Sequence, residues 1–137
     1  VHNHKLSGFE LMDKIILIGV DEIIEINKIL GGNVLNIGNF NFLIAQIESK
    51  YKDKDIKRQI AKIGAIIWMS LIQGHSFIDG NKRTATETMQ MFFDRNEYCL
   101  ETSTAGLVYT SLKIANNDMI YEELIDWIYA RLKETVR

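Results

Sequence analysis

The sequence predicts an all-α fold, a compact bundle of six or seven helices, and three observations carry that reading. Apolar residues recur at helical spacing along most of the chain. Proline is absent, so nothing of that kind interrupts a helix. Residues 60–72 are almost continuously hydrophobic, and Ile63, Ile66, Ile67, Trp68, Leu71 and Ile72 leave that segment apolar nearly all round. Such a helix belongs in the middle of a bundle. At 137 residues the chain can bury a core of its own and reads as one domain over 1–137, with residues 1–6 as a flexible leader.

The elements follow in order. Ser7, Gly8, Phe9 and Glu10 have capping-box spacing and predict a first helix over 7–18, broken by Gly19. Asp21 is placed to cap a second helix that ends near Leu30, ahead of Gly31 and Gly32. Residues 31–41 are rich in glycine and asparagine, which tolerate positive φ. With Val34, Leu35 and Ile37 among them, they suit either a short β-hairpin or an ordinary connector. Phe40, Ile44, Ile47 and Tyr51 mark a third helix. Asp53 or Asp55 caps the fourth, which runs to about Gln73 and ends on Gly74 as a left-handed cap.

Ala85, Met89, Phe92 and Phe93 predict the next helix, ending near Asn96. Residues 98–102 suit extended structure, and Ser103 or Thr104 caps a helix through Ala115. Asn117 or Asp118 caps the last helix, in which Ile120, Leu124, Trp127, Ile128 and Leu132 form one packing face.

Composition narrows the function. A net charge of −2 offers no basic excess with which to neutralise nucleic-acid phosphates, so direct nucleic-acid binding is not expected. Cys99 is the only cysteine; it makes no internal disulfide, fits a reducing cytosol and reads as a small buried residue rather than a nucleophile. The longest apolar run falls short of the roughly 20 residues of a membrane span, so a soluble, cytoplasmic protein is expected. His2 and His4 have no further histidine or cysteine nearby and are not read as metal ligands.

The chemistry concentrates in His75-Ser76-Phe77-Ile78-Asp79-Gly80-Asn81-Lys82-Arg83, between the two most apolar helical patterns. A loop that opens a helix presents free backbone N–H groups and the positive end of the helix dipole. Lys82 and Arg83 add side-chain cations there, which suits phosphate. Gly80 lets the backbone approach an anion closely. His75 can act as a base at neutral pH, and Asp79 can hold a hard cation such as Mg²⁺. Plainer roles exist for each: His75 against a helix end, Asp79 as an N-cap, Lys82 and Arg83 as solvated charges. Phe77 reads as an anchor into the core, and Asn81 either ties the loop to itself or reaches a phosphate. Thr84, Thr86 and Thr88 read as helix-surface or cap residues. Base, metal ligand and phosphate clamp within nine residues point to phosphoryl or nucleotidyl transfer.

At these positions the sequence resembles the Fic/Doc superfamily, whose loop has the form His-x-Phe-x-Asp/Glu-Gly/Ala-Asn-Gly/Lys-Arg between two helices. His75, Phe77, Asp79, Gly80, Asn81, Lys82 and Arg83 match it in order. Lys82 stands where Fic enzymes have a second glycine, and Ser76 where many have proline, so the chain is similar to the Doc (death-on-curing) toxin branch. Gly80 departs mildly from the alanine of the Doc archetype. The resemblance extends over residues 20–135 and implies a Fic/Doc-like helical bundle that uses ATP and Mg²⁺.

It also implies roles. His75 would be the general base and Asp79 the metal ligand, with Gly80, Asn81, Lys82 and Arg83 on the nucleotide phosphates. Val34, Leu35, Asn36 and Ile37 would belong to a flap that holds a target segment as an added strand. The Doc branch implies transfer of the γ-phosphoryl group of ATP to a Ser/Thr hydroxyl of a protein such as elongation factor Tu, within a toxin–antitoxin module. AMP transfer (AMPylation) from the same loop is the alternative, and a non-enzymatic helical interaction domain is a third. Many Fic proteins restrain themselves with a Ser/Thr-x-x-x-Glu-Gly/Asn helix, and no such pattern occurs in these residues. A brake supplied in trans, an antitoxin protein, is therefore expected. It would dock near the flap, on Leu35, Ile37 and Phe40.

Overall fold

The structure, a computed structural model, describes residues 15–34, 38–77 and 80–135. Among them are six helices, α1 (Val20–Ile29), α2 (Gly38–Lys50), α3 (Ile56–Gln73), α4 (Asn81–Arg95), α5 (Thr104–Ala115) and α6 (Tyr121–Arg131). Two short strands, β1 (Tyr98–Leu100) and β2 (Leu132–Glu134), pair antiparallel with Tyr98 opposite Glu134 and Leu100 opposite Leu132. The all-α reading holds.

α3 is the central helix, as its all-round apolar sequence requires. Ala61, Ile63, Ala65 and Trp68 are fully buried, and α2, α4, α5 and α6 all pack against it. Its start is capped by Asp55, whose carboxylate accepts from Lys57 N at 3.0 Å, while Asp53 in turn accepts from Asp55 N at 3.1 Å. The most extensive contact joins α3 to α4. At its centre a Cβ on Gly64 would lie 2.3 Å from Cζ of Phe93, so only glycine lets the two helices approach this closely. α4 is held from its other side by α1. Arg95 clasps Glu22, with Nη1 to Oε1 at 2.9 Å, and Glu22 Oε1 also accepts from Gly19 N at 3.0 Å.

Several local expectations are corrected. Residues 15–18 are not helical, and the rest of the predicted first helix lies outside the described residues. Ile16 is stapled instead to Asn96, which accepts from its N–H at 2.8 Å and donates to its carbonyl at 2.9 Å. Gly19, not Asp21, is the cap of α1, because Glu22 reaches back to the Gly19 N–H and Asp21 stays in the first turn. Ile120 rather than Asn117 or Asp118 precedes α6, with Glu123 accepting from its N–H at 3.0 Å. That position leaves Ile120 exposed, outside the face formed by Leu124, Ile128 and Leu132. Leu132 opens β2 rather than ending the helix. Cys99 is exposed, because Tyr98 takes the inward position on β1 and the pleat turns the next residue outward. Phe40 is buried and stacks in tilted fashion on Phe77, ring centroids 5.7 Å apart, so it offers no surface contact. No described helix is long and apolar enough to cross a membrane.

The Gly64–Phe93 approach yields a stability prediction. Gly64→Ala overpacks the α3–α4 contact and should cost about 1–3 kcal/mol, read as a lower urea midpoint with an unchanged slope. An unaltered midpoint would show that Phe93 yields freely and that the close approach is not a constraint.

Candidate active site

The loop between α3 and α4 joins the two helices within a few residues, and its described residues on either side of 78–79 are held by contacts. Gly74 closes α3, its N–H donating to Ser70 O at 2.8 Å. It is right-handed (φ −78, ψ −13), not the left-handed cap expected. Its lack of a side chain serves close approach instead: a Cβ there would lie 2.6 Å from Ser70 O. The left-handed step falls on His75, with φ +49, a region that histidine visits more readily than most residues. Asn39 at the start of α2 donates its side-chain amide to the Gly74 carbonyl, fixing the peptide just before His75.

Beyond His75 the chain dives inward. Ser76 and Phe77 are buried, and Phe77 makes an antiparallel bridge to Val34. Asn81 then clamps the turn. Its Oδ1 accepts from Phe77 N at 3.1 Å and its Nδ2 donates to Phe77 O at 2.9 Å. The Asn81 side chain thus ties the loop to itself, and what it can offer an anion is its backbone N–H. Gly80 caps α4 with φ +76, a conformation that favours glycine, and its carbonyl accepts from Thr84 N at 2.8 Å. The N–H groups of Asn81, Lys82 and Arg83 have no intrahelical acceptor, since the first bond of α4 begins at Thr84.

These pieces border one open cleft of about 480 Å³. His75, Gly80, Asn81, Lys82 and Arg83 all line it, so five of the sequence-predicted residues meet at one place. His75, Lys82 and Arg83 are exposed and so accessible from the cleft. The opposite wall is Gln73, Ala115 and Asn117. Gln73 Nε2 bonds both Ile114 O and Asn117 Oδ1, each at 3.1 Å, and so locks the end of α3 to the end of α5. Asp79 lies outside the described residues, as do Leu35, Asn36 and Ile37 of the expected flap. Val34, the fourth flap residue, is exposed and reaches the loop through its bridge to Phe77.

Sequence reasoning missed the residues that hold the loop from a distance. Asn27 on α1 is fully buried and donates to Thr84 Oγ1 at 3.0 Å, steadying the first turn of α4. Thr84 and Thr88 are therefore not surface residues. Both are fully buried, and the Thr88 hydroxyl returns to Thr84 O at 2.7 Å. Asn27 carried one signal, a polar residue between the apolar Ile23 and Leu30 on a short amphipathic helix. Asn39, Gln73 and Asn117 carried none, because their partners are distant in sequence.

Comparisons with known proteins give the family and the fold. The sequence model of the Fic/DOC family matches residues 18–93, more than half of the chain and the whole of the loop. The chain belongs to the Fic/Doc family. Among solved structures it is similar to the BepC protein of Bartonella tribocorum, a VirB-translocated effector solved with bound AMPPNP. The TM-score is 0.52 and the identity 11%, over 96% of this chain. The chain spans 65% of that protein's chain, and the likeness is one of fold. No curated protein is significantly similar in sequence.

The Asn81 clamp is testable by itself. Asn81→Ala removes both bonds to Phe77 and should cost about 1–3 kcal/mol of stability, because it strands Phe77 polar groups under the loop. It should also weaken binding of inorganic phosphate or ATP measured by calorimetry. Wild-type stability and affinity together would mean that the loop is held without it.

Proposed function

We propose that this chain is a Doc-like enzyme that transfers the γ-phosphoryl group of ATP to a hydroxyl of a protein target. The observation that carries the reading is the convergence, in one cleft, of the exposed His75 with Lys82, Arg83 and the N–H groups that open α4. Phosphoryl transfer asks little covalent chemistry of a protein; it asks for positioning and for neutralised charge. The Lys82 and Arg83 cations and the N-terminus of α4 supply the charge. The target hydroxyl oxygen attacks the γ-phosphorus, its proton passes to His75, and the bond to the β,γ-bridging oxygen breaks to leave ADP. AMPPNP in the Bartonella protein supports a nucleotide as the ligand here.

Mg²⁺ bound with ATP commonly needs only one or two carboxylates, its other ligands being phosphate oxygens and water. One loop carboxylate, Asp79, suits that pattern: it stands in sequence immediately before Gly80, which lines the cleft. Bound there, the ion would neutralise the phosphates. Lys82 is the residue that favours γ-transfer in this reading: it stands where the resemblance gives Fic enzymes a second glycine, and it brings a bulkier side chain and a charge to the cleft. With ATP labelled on the γ-phosphate, label should appear on a lysate protein, whereas α-label should not. His75→Ala should abolish the transfer while leaving the thermal melt unchanged. Label from the α-phosphate instead would establish AMP transfer.

The same reading includes a toxin role and an antitoxin supplied in trans. A partner whose disordered tail folds on binding could cover a broad surface and still be degraded readily. Exposed apolar side chains flank the 35–37 segment at Val34 and Phe42 and suit such a docking. Expression of the chain alone should arrest bacterial growth, and co-expression of its genomic neighbour should relieve the arrest. Harmless expression of a folded, ATP-binding protein would overturn the toxin role.

A further inference from the structure

α5 turns an apolar face outward. Of its twelve residues only Lys113 is charged, and Thr110, Ser111 and Ile114 are buried on the inner side. Ala105, Val108, Leu112 and Ala115 are exposed on the outer side, Val108 by 55% and Leu112 by 45%. A surface helix ordinarily carries polar and charged residues there. The four are spaced by three, four and three residues, so they fall in one stripe. That is the spacing with which two helices interlock side by side.

The stripe reads alike from either end. It runs small, large, large, small, with Ala105 and Ala115 equally far from Thr110 in sequence, and Val108 and Leu112 likewise. A second α5 laid antiparallel about a two-fold axis at residue 110 sets Ala105 against Ala115 and Val108 against Leu112, twice over. The charges beside the stripe fit the same rotation. On one flank, α4 starts beside the end of α5: Lys82 and Arg83 share a cleft with Ala115, and Thr86 meets Ser111 at 3.2 Å. Glu87, next along, is therefore level with the middle of the stripe. On the flank away from α4 lie Tyr109 and Lys113, one turn apart, the Lys113 ammonium 5.6 Å from the ring centroid. The rotation carries this flank onto Glu87 of the other copy, with Lys82 and Arg83 toward the far end. Neither Glu87 nor Lys113 has an ion-pair partner among the described residues.

We infer that α5 is a self-association surface: two copies of this chain pair antiparallel through Ala105, Val108, Leu112 and Ala115, and Glu87 of each faces the partner's Lys113. The palindromic stripe and the opposite charges on its two flanks commit the face to a second copy, since only the same pattern reversed matches both. Neither the nucleotide nor His75 enters this pairing, although Ala115 also lines the His75 cleft, so the seam reaches the rim of the site. A helix of twelve residues is about 18 Å long. The helix pair alone therefore falls short of the roughly 800 Å² per partner of a standard interface. α4 on one flank and Tyr109, 65% exposed, on the other widen it. The dimer is accordingly modest, with a Kd on the order of 10 µM.

Sedimentation equilibrium of the full chain, at concentrations on either side of that Kd, tests the pairing. Leu112→Glu puts two carboxylates into the seam and should weaken association by about tenfold or more. Glu87→Lys and Lys113→Glu each oppose like charges at two symmetric places and should each weaken it by about fivefold. Combined in one chain, they restore opposite charges, and association should return to within about twofold of the wild type. Glu87 and Leu112 are exposed and Lys113 is half-buried; far-UV circular dichroism reports that each variant is folded. The charge reversals test the contact without altering its apolar seam. A chain that stays monomeric throughout leaves the face to some other occupant and overturns the pairing. Association untouched by Leu112→Glu moves the contact off α5 and overturns it as well. Single reversals without effect, or a double reversal without recovery, overturn the antiparallel arrangement.

Discussion

The Phe93 ring lies where any side chain on residue 64 would have to go, and much of the site depends on that exclusion. It brings α3 and α4 together without an intervening layer, so the chain between Gln73 and Asn81 must turn tightly. A long connection could drift; this one is bound at both ends to buried helices, with Trp68 fully enclosed on one and Met89 and Phe92 on the other. The cost of ordering His75 and the N-terminus of α4 is thus met by the core rather than by a ligand. Such rigidity is what a reaction driven by positioning needs.

The division of labour within the loop follows from burial. Residues that face inward hold shape: Phe77 against Phe40, and Asn81 around the Phe77 peptide. Residues that face outward, His75, Lys82 and Arg83, have no such duties. Two polar struts reach the loop from outside it, Asn39 to the Gly74 carbonyl and Asn27 to Thr84. The flanks of the 31–41 stretch, Asn27 before it and Asn39 within it, are therefore physically joined to the site on both sides of the loop.

Much of this was legible in the sequence, and the failures share a cause. The apolar periodicity located α2 through α6 because burial on one face repeats every turn, and it marked the central helix because that helix has no outer face. The loop was legible because seven residues of restricted chemistry stand in one short run. Caps were less so. Gly19 and Ile120 hold cap positions that residue type alone gives to Asp21 and Asp118, since a glutamate three residues on satisfies the free N–H in each case. Gly74 was misread because glycine serves both positive φ and close approach, and only the position of Ser70 O distinguishes them. The pairing of β1 with the chain end was invisible, three residues on each side being too few to show an alternation. Thr84 and Thr88 looked like surface because a threonine hydroxyl bonded to the preceding turn can be buried at little cost.

The Asn81 amide also bears on how the molecule ages. Asparagine side chains lose ammonia slowly in water, exchanging a neutral amide for a carboxylate. At most surface positions the change passes unnoticed. Here the lost nitrogen is the one that donates to the Phe77 carbonyl, so an oxygen would be pressed against an oxygen. A negative charge would also arise next in sequence to the exposed cations Lys82 and Arg83, and would draw on both of them. A single hydrolysed amide would then loosen the turn and change the charge of the cleft together, giving the loop a chemical lifetime distinct from that of the fold around it.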